Sequence, residues 1–199
     1  KLEYDTMYHE HLRYYGLKQL VKLFDLHGME VFDVELMHAQ GGSIRVYASF
    51  KGKFPISDSV KKVLHNEEEK NLHSLDTWKT FASSVAENKE KLCSILSEIK
   101  SQNKNIVGIS APGRSTTVLN FCNINSDTLD YITEKSDLKI GKYTPGTHIL
   151  VEDDEKLVTE QPDYGLLLSW HLADSIIPKI RKNGYKGKII VNLPEPKIL

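Results

Sequence analysis

The densest cluster of chemically able side chains in this 199-residue chain is Tyr8-His9-Glu10-His11, near its amino end. An imidazole titrates near neutral pH, and a carboxylate beside it can set its tautomer, so the cluster suits acid/base work. Two histidines around a glutamate also suggest a metal, but their i, i+2 spacing does not put both rings on one helical face, and no metal is assigned. A polar loop or helix cap is the structural alternative. A second candidate is Ser110-Ala111-Pro112-Gly113-Arg114-Ser115-Thr116-Thr117. Small residues between a strand and a helix amino terminus offer backbone N–H groups to an anion, and Arg114 adds a fork of donors. An ordinary connecting turn is the plainer reading. Lys142-Tyr143-Thr144-Pro145-Gly146-Thr147-His148 is a Pro-Gly loop that either joins two strands or brings Tyr143 or His148 to a cleft mouth. Trp170 and His171 follow a strand end, where binding groups gather. Gly41-Gly42-Ser43 with Arg45 is a hairpin turn first and a ligand wall second.

The elements that must hold these residues follow from periodicity. Leu17, Leu20, Val21 and Phe24 make one helical face, with Gly28 as a left-handed cap. Residues 30–36 read as a strand, and Ile44, Val46, Ala48 and Phe50 alternate with polar residues as a second one with one buried face. A short helix is expected from Asp58 to Leu64, and a long one over 75–100 with Trp78, Phe81, Val85, Leu92, Ile95, Leu96 and Ile99 as its stripe. Between them Glu67-Glu68-Glu69-Lys70 reads as solvated surface. Strands are then expected at 106–109, 129–132, 148–151, 164–168 and 188–191, alternating with helices at 115–121, 154–158 and 172–182. Such alternation indicates βαβ units. The expected fold is α/β: a small Rossmann-like doubly wound parallel sheet, preceded by a helix, a β-hairpin and a long helix. Its expected divisions are 1–52, 53–104 and 105–199.

Bulk properties exclude several functions. Lys+Arg of 26 against Asp+Glu of 27 leaves a net charge of -1, so no charge footprint favours nucleic acid or an anionic membrane. The two cysteines, Cys93 and Cys122, fall in helical patterns and read as reduced core residues. No apolar run approaches the roughly 20 residues of a membrane span. No signal peptide is evident either, so a cytoplasmic location is expected. The chain opens on Lys1-Leu2-Glu3-Tyr4, with motif chemistry directly after, and is expected to be a piece of a longer protein.

Asp5-Thr6-Met7-Tyr8-His9-Glu10-His11, Tyr14-Tyr15 and Gly41-Gly42-Ser43-Ile44-Arg45-Val46-Tyr47 resemble the sugar C-methyltransferases of deoxysugar pathways. The resemblance continues in order through Ala111-Pro112, Leu119-Asn120, residues 141–149, Pro162-Asp163-Tyr164, Leu166-Leu167-Leu168 and Trp170. It implies a three-part enzyme in which a zinc-binding domain and a glycine-rich S-adenosylmethionine-binding domain precede this segment. On that resemblance residues 1–52 carry the catalytic segment and the helix-and-hairpin tail of the methyltransferase domain, 53–104 link, and 105–199 bind the nucleotide-diphosphate sugar. The family methylates a carbon beside the keto group of a nucleotide-linked 4-keto-deoxysugar through an enolate. His11 would be the base, with Tyr8 and Glu10 beside the sugar, and Ser110, Ala111, Pro112, Arg114 and Ser115 would contact the diphosphate. The family pattern has glycine where Ser110 stands and Lys-Gly at Arg114-Ser115.

Two other functions compete. One is a non-catalytic nucleotide-sugar-binding module on the same fold, against which the intact Tyr8, Glu10 and His11 stand. The other is a small Rossmann-type oxidoreductase. It lacks G-x-G-x-x-G, and no acidic residue is suitably placed after the second strand for a ribose.

Overall fold

Short apolar strands buried on both faces build the main sheet. The computed structural model describes residues 2–37 and 42–199, so Gly41 of the expected hairpin turn lies outside the described residues. The elements are α1 (Leu17–Leu26), β1 (Met29–Met37), β2 (Ser43–Phe50), α2 (Asp58–Glu69), α3 (Leu75–Ser101), β3 (Ile106–Ile109) and α4 (Ser115–Phe121). They continue with β4 (Ile132–Glu134), β5 (Val151–Asp153), α5 (Glu155–Thr159), β6 (Tyr164–Leu167), α6 (Ala173–Lys182), β7 (Lys188–Val191) and β8 (Lys197–Ile198). Two units form: Lys1–His11 with Ser83–Leu199, and Leu12–Ala82. The boundaries of these units fall at 11/12 and 82/83. Residues 2–11 join the sheet unit because Tyr4 and Asp5 are buried in it, and the later turns of α3 join it through buried Leu92, Leu96 and Ile99.

In the sheet unit the strand order is β5-β4-β3-β6-β7-β8, all parallel except β8. The order reverses between β3 and β6, so the fold is a doubly wound, Rossmann-like α/β sheet with its switch point there. One face is the cluster Val107, Ile109, Leu157, Leu167, Tyr185, Ile189 and Val191, under Ile176, Ile177 and Ile180 of α6. Alternation sends buried Ile106, Leu166, Leu168 and Ile190 to the other face.

Two strands start three residues later than the sequence reading has them, and one further short strand appears. β4 starts three residues later than expected, at Ile132, although Asp130 N–H donates to Ile106 O and Gly108 N–H to Tyr131 O. β5 starts at Val151 because His148 adopts φ 52° within a tight turn closed by Thr144 N–H to Ile149 O. The two-residue β8, paired with Ile190 and Val191, is too short to leave a periodic signal.

The unit Leu12–Ala82 packs α1 and α2 on the antiparallel hairpin β1–β2, with Leu17, Val31, Val34 and Val60 at its core. Phe32 is the extra residue at a bulge between Val31 and Asp33 and stacks on Phe54 at 4.6 Å. Ile44, Val46 and Ala48 of β2 are half-buried and Phe50 is 68% exposed, so the alternating face of β2 is only partly covered. α2 runs five residues past the expected Leu64, and Glu67 is not solvated surface: its carboxylate accepts from Leu17 N–H at 2.5 Å and Lys18 N–H at 3.1 Å. Gly16 has no side chain to cap α1, and Glu67 supplies the cap from α2. Glu67→Ala is expected to lower stability by about 1–2 kcal/mol. Urea unfolding of the chain measures this, and an unchanged midpoint contradicts it.

Candidate functional site

The amino-terminal segment lies on the carboxyl end of β3, although it precedes that strand by about a hundred residues. Its first anchor is Tyr4, 4% exposed, whose hydroxyl donates to Asn88 Oδ1 at 3.3 Å and whose ring meets Phe121 edge-on at 5.6 Å. Its second anchor is Asp5, 1% exposed, which takes Arg114 Nε–H and Nη2–H, each at 2.7 Å, and Trp170 Nε1–H at 2.7 Å. Thr117 Oγ1 donates to Met7 O at 2.8 Å, and Tyr8 Cε2 passes 3.9 Å from where a Cβ on Gly113 would stand. The segment thus reaches residues 8–11 with its backbone already held.

There His11 N–H donates to Tyr8 O at 2.9 Å, and the Tyr8 and His11 rings lie 4.2 Å apart at 39°. His11 Nδ1 is 2.9 Å from Thr6 O. A carbonyl oxygen only accepts, so Nδ1–H is the donor here, and in a neutral ring of this tautomer the lone pair is on Nε2. That is the tautomer of a general base, on an exposed ring. Glu10 is exposed and lies 3.9 Å from His9 Nε2. Tyr8 and His11 are brought together, and the Glu10 carboxylate faces His9.

The turn after β3 is satisfied from inside the protein. Arg114 is 6% exposed, and its fork is spent on Asp5, with Glu3 Oε2 3.8 Å away. The guanidinium lies 5.4 Å from the Trp170 ring centroid. Ala111 N–H donates to Glu134 Oε2 at 3.1 Å, and Lys139 Nζ spans Ala111 O and Glu134. Burial favours the neutral acid at Glu134, but the N–H groups of Lys135 and Ala111, with Lys139, outweigh it and lower its pKa. Ser110 Oγ donates to Ser169 Oγ at 2.6 Å, joining the carboxyl ends of β3 and β6, and Ser115 Oγ donates to Pro112 O at 2.7 Å. The side chains of Ser110, Arg114 and Ser115 and the Ala111 N–H, all expected at a diphosphate, thus have partners within the protein. An acidic residue does end the second strand of the sheet: Glu134 was hidden by the displaced limits of β4.

The remaining candidates separate. Trp170 and His171 follow β6 at the carboxyl end, beside Arg114. Tyr143 and His148, both exposed with rings 6.4 Å apart, precede β5 and so stand at an amino end. Asn120 Nδ2 ties their loop to α4 through Pro145 O, and the φ of +80° at Gly146, together with Asn120 against it, leaves no room for a side chain. Arg45 is exposed on β2 of the other unit, 3.3 Å from Glu35. A cavity of about 250 Å3 opens beside Glu134, with Ile109, Leu157, Ile176 and Ile180 as its apolar walls.

His171 is half-buried, and its Nδ1 has no hydrogen-bond partner among the described residues. Burial, and then the positive Arg114, hold its pKa below the usual 6.5, against the opposite pull of Asp5 and Glu3. The unfolded chain therefore takes up this proton first as the pH falls. Stability from the neutral ring is complete above about pH 6.5 and is lost as the pH drops through the lower folded value. The urea midpoint of His171→Gln is expected to fall less than that of the parent between about pH 7 and pH 5. Equal falls contradict this.

Among the described residues no three His, Cys, Asp or Glu side chains group closely enough to hold a metal ion. No helix among them is long and apolar enough to cross a membrane. Residues 38–194 match the family of the C-methyltransferase C-terminal domain. The chain is also 29% identical over 201 residues to C-methyltransferase NovU of Streptomyces niveus, an alignment covering 99% of this chain and 47% of that protein. The chain thus spans about half the length of the curated relative it matches.

Proposed function

The chain belongs to the C-methyltransferase C-terminal domain family, and from that premise we propose that it activates the substrate in a methyltransferase acting on a nucleotide-linked 4-keto-deoxysugar. The observation that carries this reading is the Tyr8 and His11 pair, with the His11 proton fixed on Nδ1 by Thr6 O. Nε2 of His11 takes the proton from the carbon beside the keto group, and the C–H electron pair moves into the C–C bond as the carbonyl oxygen gains charge. The Tyr8 hydroxyl donates to that oxygen, and Glu10 favours the imidazolium that forms. The carbanionic carbon is then ready for methylation.

S-adenosylmethionine is the methyl donor in this reading and supplies an electrophilic methyl group. The described residues do not fit it: the strand–turn–helix after β3 gives Ala111 N–H to Glu134 and Arg114 to Asp5. No step is therefore assigned to this chain beyond substrate activation. Binding of the donor, and of zinc, is assigned to parts of the full-length protein other than this chain, in a protein of the cytoplasm. The test is His11→Asn in the full-length protein. Loss of methyl transfer with nucleotide binding kept supports the reading, and normal turnover refutes it.

A further inference from the structure

Asp5 and Arg114 form the most deeply buried ion pair on this face, and they are 109 positions apart in the chain. Burying two charges is costly unless both are fully hydrogen-bonded. Here two parallel bonds of 2.7 Å and the indole N–H of Trp170 meet that condition on the Asp5 carboxylate. A surface loop gains nothing from such a site, yet Asp5 is only three residues before Tyr8 and six before His11. The planar fork sets direction as well as distance. Thr117 adds a second fastening at Met7 O, between Asp5 and the ring pair.

We propose that Asp5, held by Arg114 and Trp170, is a positioning residue for the proton transfer: the clamp fixes residues 8–11 against the carboxyl end of β3, and Arg114 serves it in place of binding the diphosphate. The inference rests on the reading of His11 as the base. A catalytic group displaced by about 1 Å loses roughly a hundredfold in rate without losing substrate affinity. A phosphate ligand, once removed, weakens binding itself.

The experiment uses the full-length protein with Asp5→Asn, Arg114→Lys, the double variant, Thr117→Val and His11→Asn. Steady-state rates with a nucleotide-linked ketosugar are combined with calorimetry of thymidine diphosphate and amide hydrogen exchange over residues 6–11. Asp5→Asn and Arg114→Lys are each expected to lower kcat by about 10–100-fold with KM and diphosphate Kd within about twofold. The double variant is expected to be no slower than the worse single one, because both changes break one contact. Thr117→Val, which leaves the buried pair in place, is expected to lower kcat by about threefold to tenfold. Amides 6–11 are expected to exchange faster in both clamp variants.

Several results would overturn the clamp. One is a KM and Kd raised about tenfold by Arg114→Lys but not by Asp5→Asn, which makes Arg114 a diphosphate ligand. Others are additive losses in the double variant, or unchanged kcat and exchange in the single ones. Should the buried variants not fold, an unchanged kcat in Thr117→Val overturns it instead. Normal turnover by His11→Asn removes the base assignment. An inactive His11→Asn beside unchanged exchange in the clamp variants removes the clamp alone.

Discussion

In the full-length protein His11→Asn is expected to slow methyl transfer by about 10²–10⁴-fold, the usual range for loss of a general base. Asparagine preserves the local structure: its amide N–H can still donate to Thr6 O, the bond that Nδ1 makes at 2.9 Å. It offers no lone pair of comparable basicity where Nε2 stands, so only the proton acceptor is removed. Thymidine diphosphate affinity by calorimetry is expected to change less than about threefold, because the ring is exposed and meets Tyr8 rather than a phosphate site. A variant that keeps the parent rate excludes His11 as the base. One that loses nucleotide affinity instead makes it a binding group.

Arg114→Met in the 199-residue chain is expected to lower unfolding free energy by about 3–5 kcal/mol. Methionine matches much of the volume, so packing alone costs little. The loss comes from Asp5, whose carboxylate at 1% exposure keeps the Trp170 N–H and loses both guanidinium bonds. Asp5→Asn added to Arg114→Met is expected to recover part of it, since a neutral amide tolerates burial better than an unpaired charge. A loss below about 1 kcal/mol would show a pair as weak as an exposed one. Urea unfolding of the two variants decides this.

What the sequence discloses follows the range of the interactions. Apolar runs such as 106–109, 164–167 and 188–191 mark their strands directly, because a strand buried on both faces needs little from its neighbours to be recognised. The meeting of Tyr8 and His11 is likewise local, being made within one turn. By contrast the apolar pattern puts β4 and β5 too early, since buried Leu129, Tyr131 and Ile149 continue it beyond the paired residues. That shift concealed Glu134 at a strand end. Glu67 looks like solvent-facing charge until it is seen that α1 begins at a glycine without a cap. Arg114 offered the right chemistry for an anion, and the anion it meets is Asp5, whose distance along the chain leaves no periodic or local signal.

Solvent exchange tests the central claim without depending on methyl transfer. The full-length protein is incubated in deuterium oxide with a nucleotide-linked 4-keto-deoxysugar and no methyl donor, and deuterium at the carbon beside the keto group is followed by mass spectrometry. Wild-type protein is predicted to wash deuterium into that position well above the rate without protein, and His11→Asn to reduce the gain to near that background. Exchange by His11→Asn at the wild-type rate would contradict the account and place the base elsewhere.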